Sequence, residues 1–233
     1  MMQDSQRPVK TIQSFVRRSS KLTPGQRNGI SKLWPLYGIE VPDRYIEMNE
    51  LFAKRQPITL EIGFGNGDSL LDMALNTPNK NFIGVEVYEA GIGRIINESH
   101  KLQITNLKVV KFDAVELLKY HIKDNSFEEF QLFFPDPWHK KKHHKRRIVD
   151  YDFLNLISRK VINNGNIHIA TDWEDYAQHI MESLEGHPNF KNTLGAHIYS
   201  PRPKMRPMTK FEKRGQSLGH GVWDLVFINI KQD

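Results

Sequence analysis

No cysteine occurs among the 233 residues. That absence excludes a disulfide framework, a thiol nucleophile and a cysteine-based zinc site, and it accords with a reducing compartment. No run of roughly 18 apolar residues is present, so nothing reads as a membrane-spanning helix. The stretch from Met1 to Arg7 carries no apolar signal core, and the expected location is the cytoplasm. Internal repeats and low-complexity tracts are also missing. His139, His143 and His144 lie close together, but cations surround them and no acidic ligand is adjacent, so no metal site is expected. What the chain does have is positive charge, +6 net with a pI near 9.4, which favours an acidic partner such as a nucleic acid or a phosphorylated ligand. Its length suits one α/β domain with extensions.

The charge is clustered. Residues 1–30 are polar and basic (Arg7, Lys10, Arg17, Arg18, Lys21, Arg27) with few apolar anchors, which predicts a mobile basic arm ahead of a single domain over 31–233. Such an arm either engages a phosphate backbone or is a solvated terminus. From Leu33 to Tyr45 the chain is aromatic and proline-rich, and an irregular segment packed over the core is expected. A short helix is expected near Asn49 to Lys54, stopped by Pro57.

Ile58 to Ile62 is a short apolar, β-branched run. It meets Gly63-Phe64-Gly65-Asn66-Gly67, after which Asp68 to Leu75 has helical apolar spacing. Strand, glycine loop and helix in that order let the backbone approach a ligand closely, with free amides at the helix start. The spacing is G-x-G-x-G and not the G-x-G-x-x-G of a dinucleotide fingerprint, and a tight turn would use the same glycines. A second strand, Asn81 to Val87, carries Glu86 about 20 residues past the loop, where a carboxylate holds a ribose diol. A helix over about Tyr88 to Leu102 leads to a third strand, Leu107 to Asp113. Glu61, Glu86 and Asp113 thus fall at successive strand ends, where open α/β sheets bind ligands; any one of them alone would read as a helix cap.

A helix over Ala114 to Tyr120 precedes the fourth strand, Phe130 to Phe134. This strand delivers Pro135-Asp136-Pro137-Trp138-His139-Lys140 and then Lys141, Lys142, His143, His144, Lys145, Arg146 and Arg147. Tyr151 begins an amphipathic helix expected to end at Asn163-Asn164-Gly165. Asn166 to Asp172 is a fifth strand ending in an acid, and Trp173 to Leu184 is helical. Residues 197–221 form a long loop dense in proline, glycine and cations, which in a compact domain is functional or disordered. Trp223 to Ile230 closes the sheet.

With F-P-D-P-W at Phe134 to Trp138, the cationic run, A-T-D-W at Ala170 to Trp173 and R-P-M-T-K-F-E at Arg206 to Glu212, the chain resembles the tRNA (guanine-N7)-methyltransferase family of class I S-adenosylmethionine-dependent methyltransferases. The resemblance covers about residues 58–215. It implies a Rossmann-like class I methyltransferase fold: a mostly parallel seven-stranded sheet, helices on both faces and an antiparallel C-terminal strand. It implies that S-adenosylmethionine is bordered by Glu61, Gly63, Gly65, Gly67, Glu86, Asp113 and Asp136, with Glu86 on the ribose hydroxyls and Asp113 on the adenine amino group. It further implies substrate contacts from Lys140, Asp172, Thr209, Lys210, Phe211 and Glu212, and RNA contacts from the cations after Lys140. The implied partner is tRNA, methylated at N7 of a variable-loop guanine; monomer and homodimer both stay open.

Guanine N7 already carries an in-plane lone pair, so no base need remove a proton, and alignment is the main task. Asp136 is expected at the reacting centre, stabilising the developing positive charge, with Asp172 reading guanine; the two carboxylates could exchange these roles. Trp138 either stacks on a base or braces its loop. Thr209 and Glu212 also have the form of a capping box. Three other readings compete: a nicotinamide-dependent oxidoreductase, a non-catalytic RNA-binding module, and an amino-group methyltransferase, whose D/N-P-P-Y/F motif differs from the Pro135-Asp136-Pro137-Trp138 order here.

Overall fold

The structure, a computed structural model, describes residues 21–208, 212 and 221–231. Seven strands form one sheet: β1 Ile58–Ile62, β2 Asn81–Glu86, β3 Leu107–Lys111, β4 Phe127–Phe133, β5 Val161–Thr171, β6 Phe190–Asn192 and β7 Trp223–Asn229. Their spatial order is β3-β2-β1-β4-β5-β7-β6, parallel from β3 through β5, with β7 antiparallel to both β5 and β6. This is the sheet the resemblance implied. Helix α1 Pro24–Tyr37 precedes the first strand, and between the strands run α2 Asp68–Asn76, α3 Glu89–Lys101, α4 Ala114–Tyr120, α5 Tyr151–Lys160 and α6 Glu174–Glu185.

The central strands are apolar and buried on both faces, as parallel strands under helical layers must be. Leu70, Ile92 and Ile95 of α2 and α3 pack with Phe82, Leu107 and Val109 on one side. Leu117, Phe153 and Ile180 of α4, α5 and α6 pack with Ile83, Phe130 and Ile169 on the other. Register then fixes what emerges at the carboxyl edge. Ile62 lies opposite both Val85 and Leu132, and Phe133 lies opposite Ala170, so the residues after β1, β2, β4 and β5 leave the sheet side by side. Strand order reverses between β1 and β4, the point at which an open α/β sheet leaves a crevice.

Four expectations are corrected. Residues 24–37 are helical, so α1 replaces the last part of the arm expected over 1–30 and the first part of the irregular segment expected from Leu33 to Tyr45, whose remainder is irregular; residues 1–20 lie outside the described residues. Gly25, Gly29 and Pro35 disguise this helix. It is set by a capping box between Thr23 and Gln26 and by contacts with α3, where Gln26 Nε2 donates to Ala90 O (3.1 Å) and Asn97 Nδ2 to Gly25 O (3.0 Å). The helix expected near residues 49–54 is a single 3-10 turn at Met48–Glu50. Next, α5 ends at Lys160, not at Gly165. Asn164 turns with φ 62° inside β5, and Gly165 passes so close to Glu128 that a Cβ there would lie 2.7 Å from its carbonyl oxygen. Those residues make an irregularity in the strand rather than a helix cap. Finally, β6 is three residues long and went unanticipated; it pairs with β7, to which Ser200 is also tied by its N donating to Asp224 O (2.7 Å).

Candidate active site

A cleft of about 550 Å³ opens at the reversal point, lined by the glycine loop, Glu61, Glu86, Asp113 and the segment from Phe133 to Asp136. The structure therefore brings the row of strand-end acids together. Gly63, Gly65 and Gly67 have φ of 73°, 57° and 76°, a region that side chains avoid. A Cβ at Gly63 or Gly65 would meet no protein atom within 4 Å, so the loop leaves its open side toward the cleft. Behind the loop, helix α3 comes so near that a Cβ on Gly91 would lie 1.8 Å from Gly65 O. That glycine escaped the sequence reading; its signal was a Gly-Ile-Gly inside an otherwise helical pattern.

Glu86 organises the loop. Its Oε2 accepts from Gly65 N (2.8 Å), and its Oε1 accepts from Val87 N (2.7 Å) and Tyr88 N (3.0 Å). Arg94 holds the far side of the loop, donating to Asn66 O (2.6 Å) and Asp68 Oδ1 (2.5 Å). Asp113 is the N-cap of α4: Oδ1 accepts from Val115 N (2.9 Å) and Glu116 N (3.0 Å), so the cap and a place in the cleft wall coexist. Glu61 is different. The residue is 2% exposed, Oε2 is buried without a hydrogen-bond partner, and burial, followed by repulsion from Glu86, pushes its pKa up to about 8. A buried carboxyl with an unpartnered oxygen in the cleft wall suits a ligand that brings a positive charge or a hydrogen-bond donor, and S-adenosylmethionine carries both.

Asp136 follows a turn begun by Phe134 at φ 52°, with Phe134 N bonded to Ala170 O (2.7 Å). It is half-buried in the cleft wall. Asp172, exposed, leaves the neighbouring strand and stands outside that wall. Lys140 is exposed at the start of a 3-10 helix over Lys141–Arg146. Trp138 has φ 47°; its ring meets His143 edge-on at 6.0 Å, and the Arg146 guanidinium lies 4.6 Å above it. The bracing reading of Trp138 therefore matches its surroundings. Trp173, which sequence reasoning passed over as the start of a helix, is 39% exposed beside Asp172, with His139 packed edge-on at 4.1 Å.

Two assignments change. Arg147, grouped with the RNA-contacting cations, is buried: Nε donates to Pro137 O (3.0 Å), the guanidinium bonds Asp175 and it lies 4.7 Å over Tyr176. It fastens the ribbon to α6. Its hydrogen bond holds the Asp175 carboxyl below the usual range. Glu212, expected on the substrate, is buried with both oxygens on Arg206. Thr209, Lys210 and Phe211 lie outside the described residues. Among the described residues, Lys141, Lys142 and Lys145 are exposed, and His143, His144 and Arg146 are half-exposed. Burial and then the cations Lys142, Arg146, Lys140 and Lys145 push the His143 pKa down. Among the described residues no helix is long and apolar enough to cross a membrane.

A family model described as "Putative methyltransferase" matches residues 55–225. The tRNA (guanine-N7)-methyltransferase of Psychromonas ingrahamii is 50% identical over 222 residues, covering 95% of this chain and 91% of the relative. That of Pseudoalteromonas translucida is 48% identical over 223 residues, covering 96% and 92%. Among solved structures, the 16S rRNA methyltransferase KamB superposes with a TM-score of 0.57 at 11% identity over 92% of this chain and 97% of its own. The aminoglycoside resistance methyltransferase NpmB1 does so with 0.56 at 15% over 79% and 94%. The fold is that of the class I methyltransferases, and the chain belongs to the tRNA (guanine-N7)-methyltransferase family.

Proposed function

We propose that this enzyme transfers a methyl group from S-adenosylmethionine to N7 of a guanine in the variable loop of tRNA. One observation carries the reading: the junction from Phe133 to Arg146 runs from the wall of an acid-lined cleft directly into an exposed cationic ribbon, so a small-molecule site and a polyanion surface share one edge of the sheet. When bound, S-adenosylmethionine supplies an electrophilic methyl group on a sulfonium. The remaining work belongs to the chain. The glycine loop and Glu86 shape the donor pocket, with Glu86 and Asp113 reading its hydroxyl and amino groups and Glu61 meeting its positive end. Asp136 stabilises the charge that guanine acquires, Asp172 reads the base, and Lys140 with the ribbon grips the backbone. Asp136 and Asp172 follow the ends of the adjacent strands β4 and β5, which supports a donor and a base held side by side.

Purified protein, labelled S-adenosylmethionine and unmodified tRNA test the reading, with borohydride and aniline cleavage mapping N7-methylguanosine. Cleavage at a variable-loop guanosine is the expected result, and its absence would sink the proposal. The ribbon makes a second prediction. Changing Lys141, Lys142 and Lys145 together to glutamine lowers the slope of log affinity against log salt by about 0.9 for each lost phosphate contact. A salt titration of tRNA binding with an unchanged slope removes the ribbon from the interface. Trp173 makes a third. Presented beside Asp172, it supplies the stacking face, so Trp173→Ala weakens tRNA binding by about 1–3 kcal/mol while Trp173→Phe retains most of it. Fluorescence of a variant keeping Trp173 alone among the four tryptophans is quenched by tRNA; an unquenched signal refutes stacking.

A further inference from the structure

Arg206 is the largest fully buried side chain among the described residues, and it sits outside the donor cleft. Its donors are divided between two carboxylates. Nε and an Nη donate to Asp224 Oδ1 and Oδ2 (2.7 and 2.8 Å), while the Nη atoms donate to Glu212 Oε2 and Oε1 (2.7 and 2.9 Å). Asp224 on β7 also bonds His168 Nε2 of β5 at 2.7 Å. The guanidinium lies 5.9 Å from the ring centre of Phe133 and 5.6 Å from that of Phe134. One cation thus touches the end of β4, binds β7 and grips Glu212, six residues along its own segment.

We infer that Arg206 is a positioning residue: its pairing with Glu212 and Asp224 fixes it against β7 and the end of β4, beside the turn that carries Asp136, and Glu212 acts by holding Arg206, not by touching tRNA. The inference rests on the proposed tRNA methylation for its substrate. Two features support it. Both Glu212 oxygens are occupied in a dry site, so a nucleic acid could engage them only by breaking two charge-assisted hydrogen bonds. Phe134, beneath the guanidinium, starts the left-handed turn that aims Asp136 into the cleft.

A double-mutant cycle tests it. Wild type, Arg206→Met, Glu212→Gln and the double variant are compared for tRNA affinity, for kcat and KM with tRNA, and for calorimetric affinity for S-adenosylmethionine. Glu212→Gln is expected to weaken tRNA binding and lower kcat about tenfold, with cofactor affinity unchanged, and to have no further effect once Arg206 is methionine, a coupling of the size neighbouring residues show. Arg206→Lys keeps the charge but loses the fork, and recovers part of the loss relative to Arg206→Met. Should Arg206→Met fail to fold, shown by lost cofactor binding, the same cycle on Arg206→Lys takes its place. A Glu212→Gln effect that persists in full in the Arg206 variant means direct contact with tRNA and overturns the inference, as does wild-type kcat and affinity in the single variants. A coupled cycle in tRNA binding alongside a wild type that transfers no methyl group would instead overturn the proposed function and leave the clasp standing.

Discussion

Replacing Asp136 with alanine lowers the rate of methyl transfer to tRNA by about 10²- to 10³-fold, the loss typical of removing one preorganised electrostatic group from a reacting centre. The fold survives. Asp136 is half-buried after the end of β4, where its side chain adds little to the core, so the melting temperature moves by only a few degrees. The chemistry sets the direction. Guanine becomes cationic as N7 takes the methyl group, and a carboxylate in the cleft wall interacts more strongly with that developing charge than with the neutral base. Asp136→Asn separates the two possible duties, because it keeps the shape while deleting the charge. If charge matters most, asparagine is nearly as slow as alanine; if the residue mainly reads the base edge, asparagine loses discrimination between guanine and adenine first. Labelled-donor turnover on unmodified tRNA measures both, and near-wild-type rates for either variant remove Asp136 from that duty.

Where the sequence was legible, the physics was local. Strand, glycine loop and helix are set by neighbours within a few residues, and the acids of β1, β2 and the third strand end could be placed because each closes its own apolar run. Asp113 could be read both as a helix cap and as a cleft acid, and it is both. Distant partners hid the rest. Helix α1 contains residues that weaken helices and is held through Ala90 and Asn97, more than 60 residues away in the chain. Arg147 and Lys145 are alike in composition, yet Asp175 and Tyr176 on α6 bury one and leave the other in solvent. The resemblance implied a substrate contact for Glu212, and nothing near it in sequence announces Asp224, the second carboxylate on the same guanidinium. A motif shows which residues share a task, and burial decides which of them reach the ligand.

Exchanging Glu61 for glutamine stabilises the cofactor-free enzyme at pH 8 and removes a proton from the binding reaction. Glu61 is buried in β1 with Oε2 unpartnered, and burial together with Glu86 raises its pKa from 4.5 to about 8. In the unfolded chain the proton leaves near pH 4.5, whereas in the folded state it stays until about pH 8. The group's contribution to stability is therefore fully present at low pH, declines across that window and is constant above it, with an upper limit on the order of 5 kcal/mol. Glutamine is neutral throughout, so the variant melts with wild type at pH 4 and several degrees above it at pH 8. An enzyme that keeps a costly acid in this place gains where the ligand is positive. S-adenosylmethionine brings a sulfonium and an ammonium group, which favour the ionised carboxylate, so wild type releases a proton on binding near pH 7. Calorimetry in buffers of different ionisation enthalpy detects that release. Glu61→Gln abolishes it and weakens the cofactor, and S-adenosylhomocysteine, without the sulfonium charge, releases less than the methyl donor. Equal melting curves at pH 8, or buffer-independent heats in wild type, would show that Glu61 is ionised before the ligand arrives.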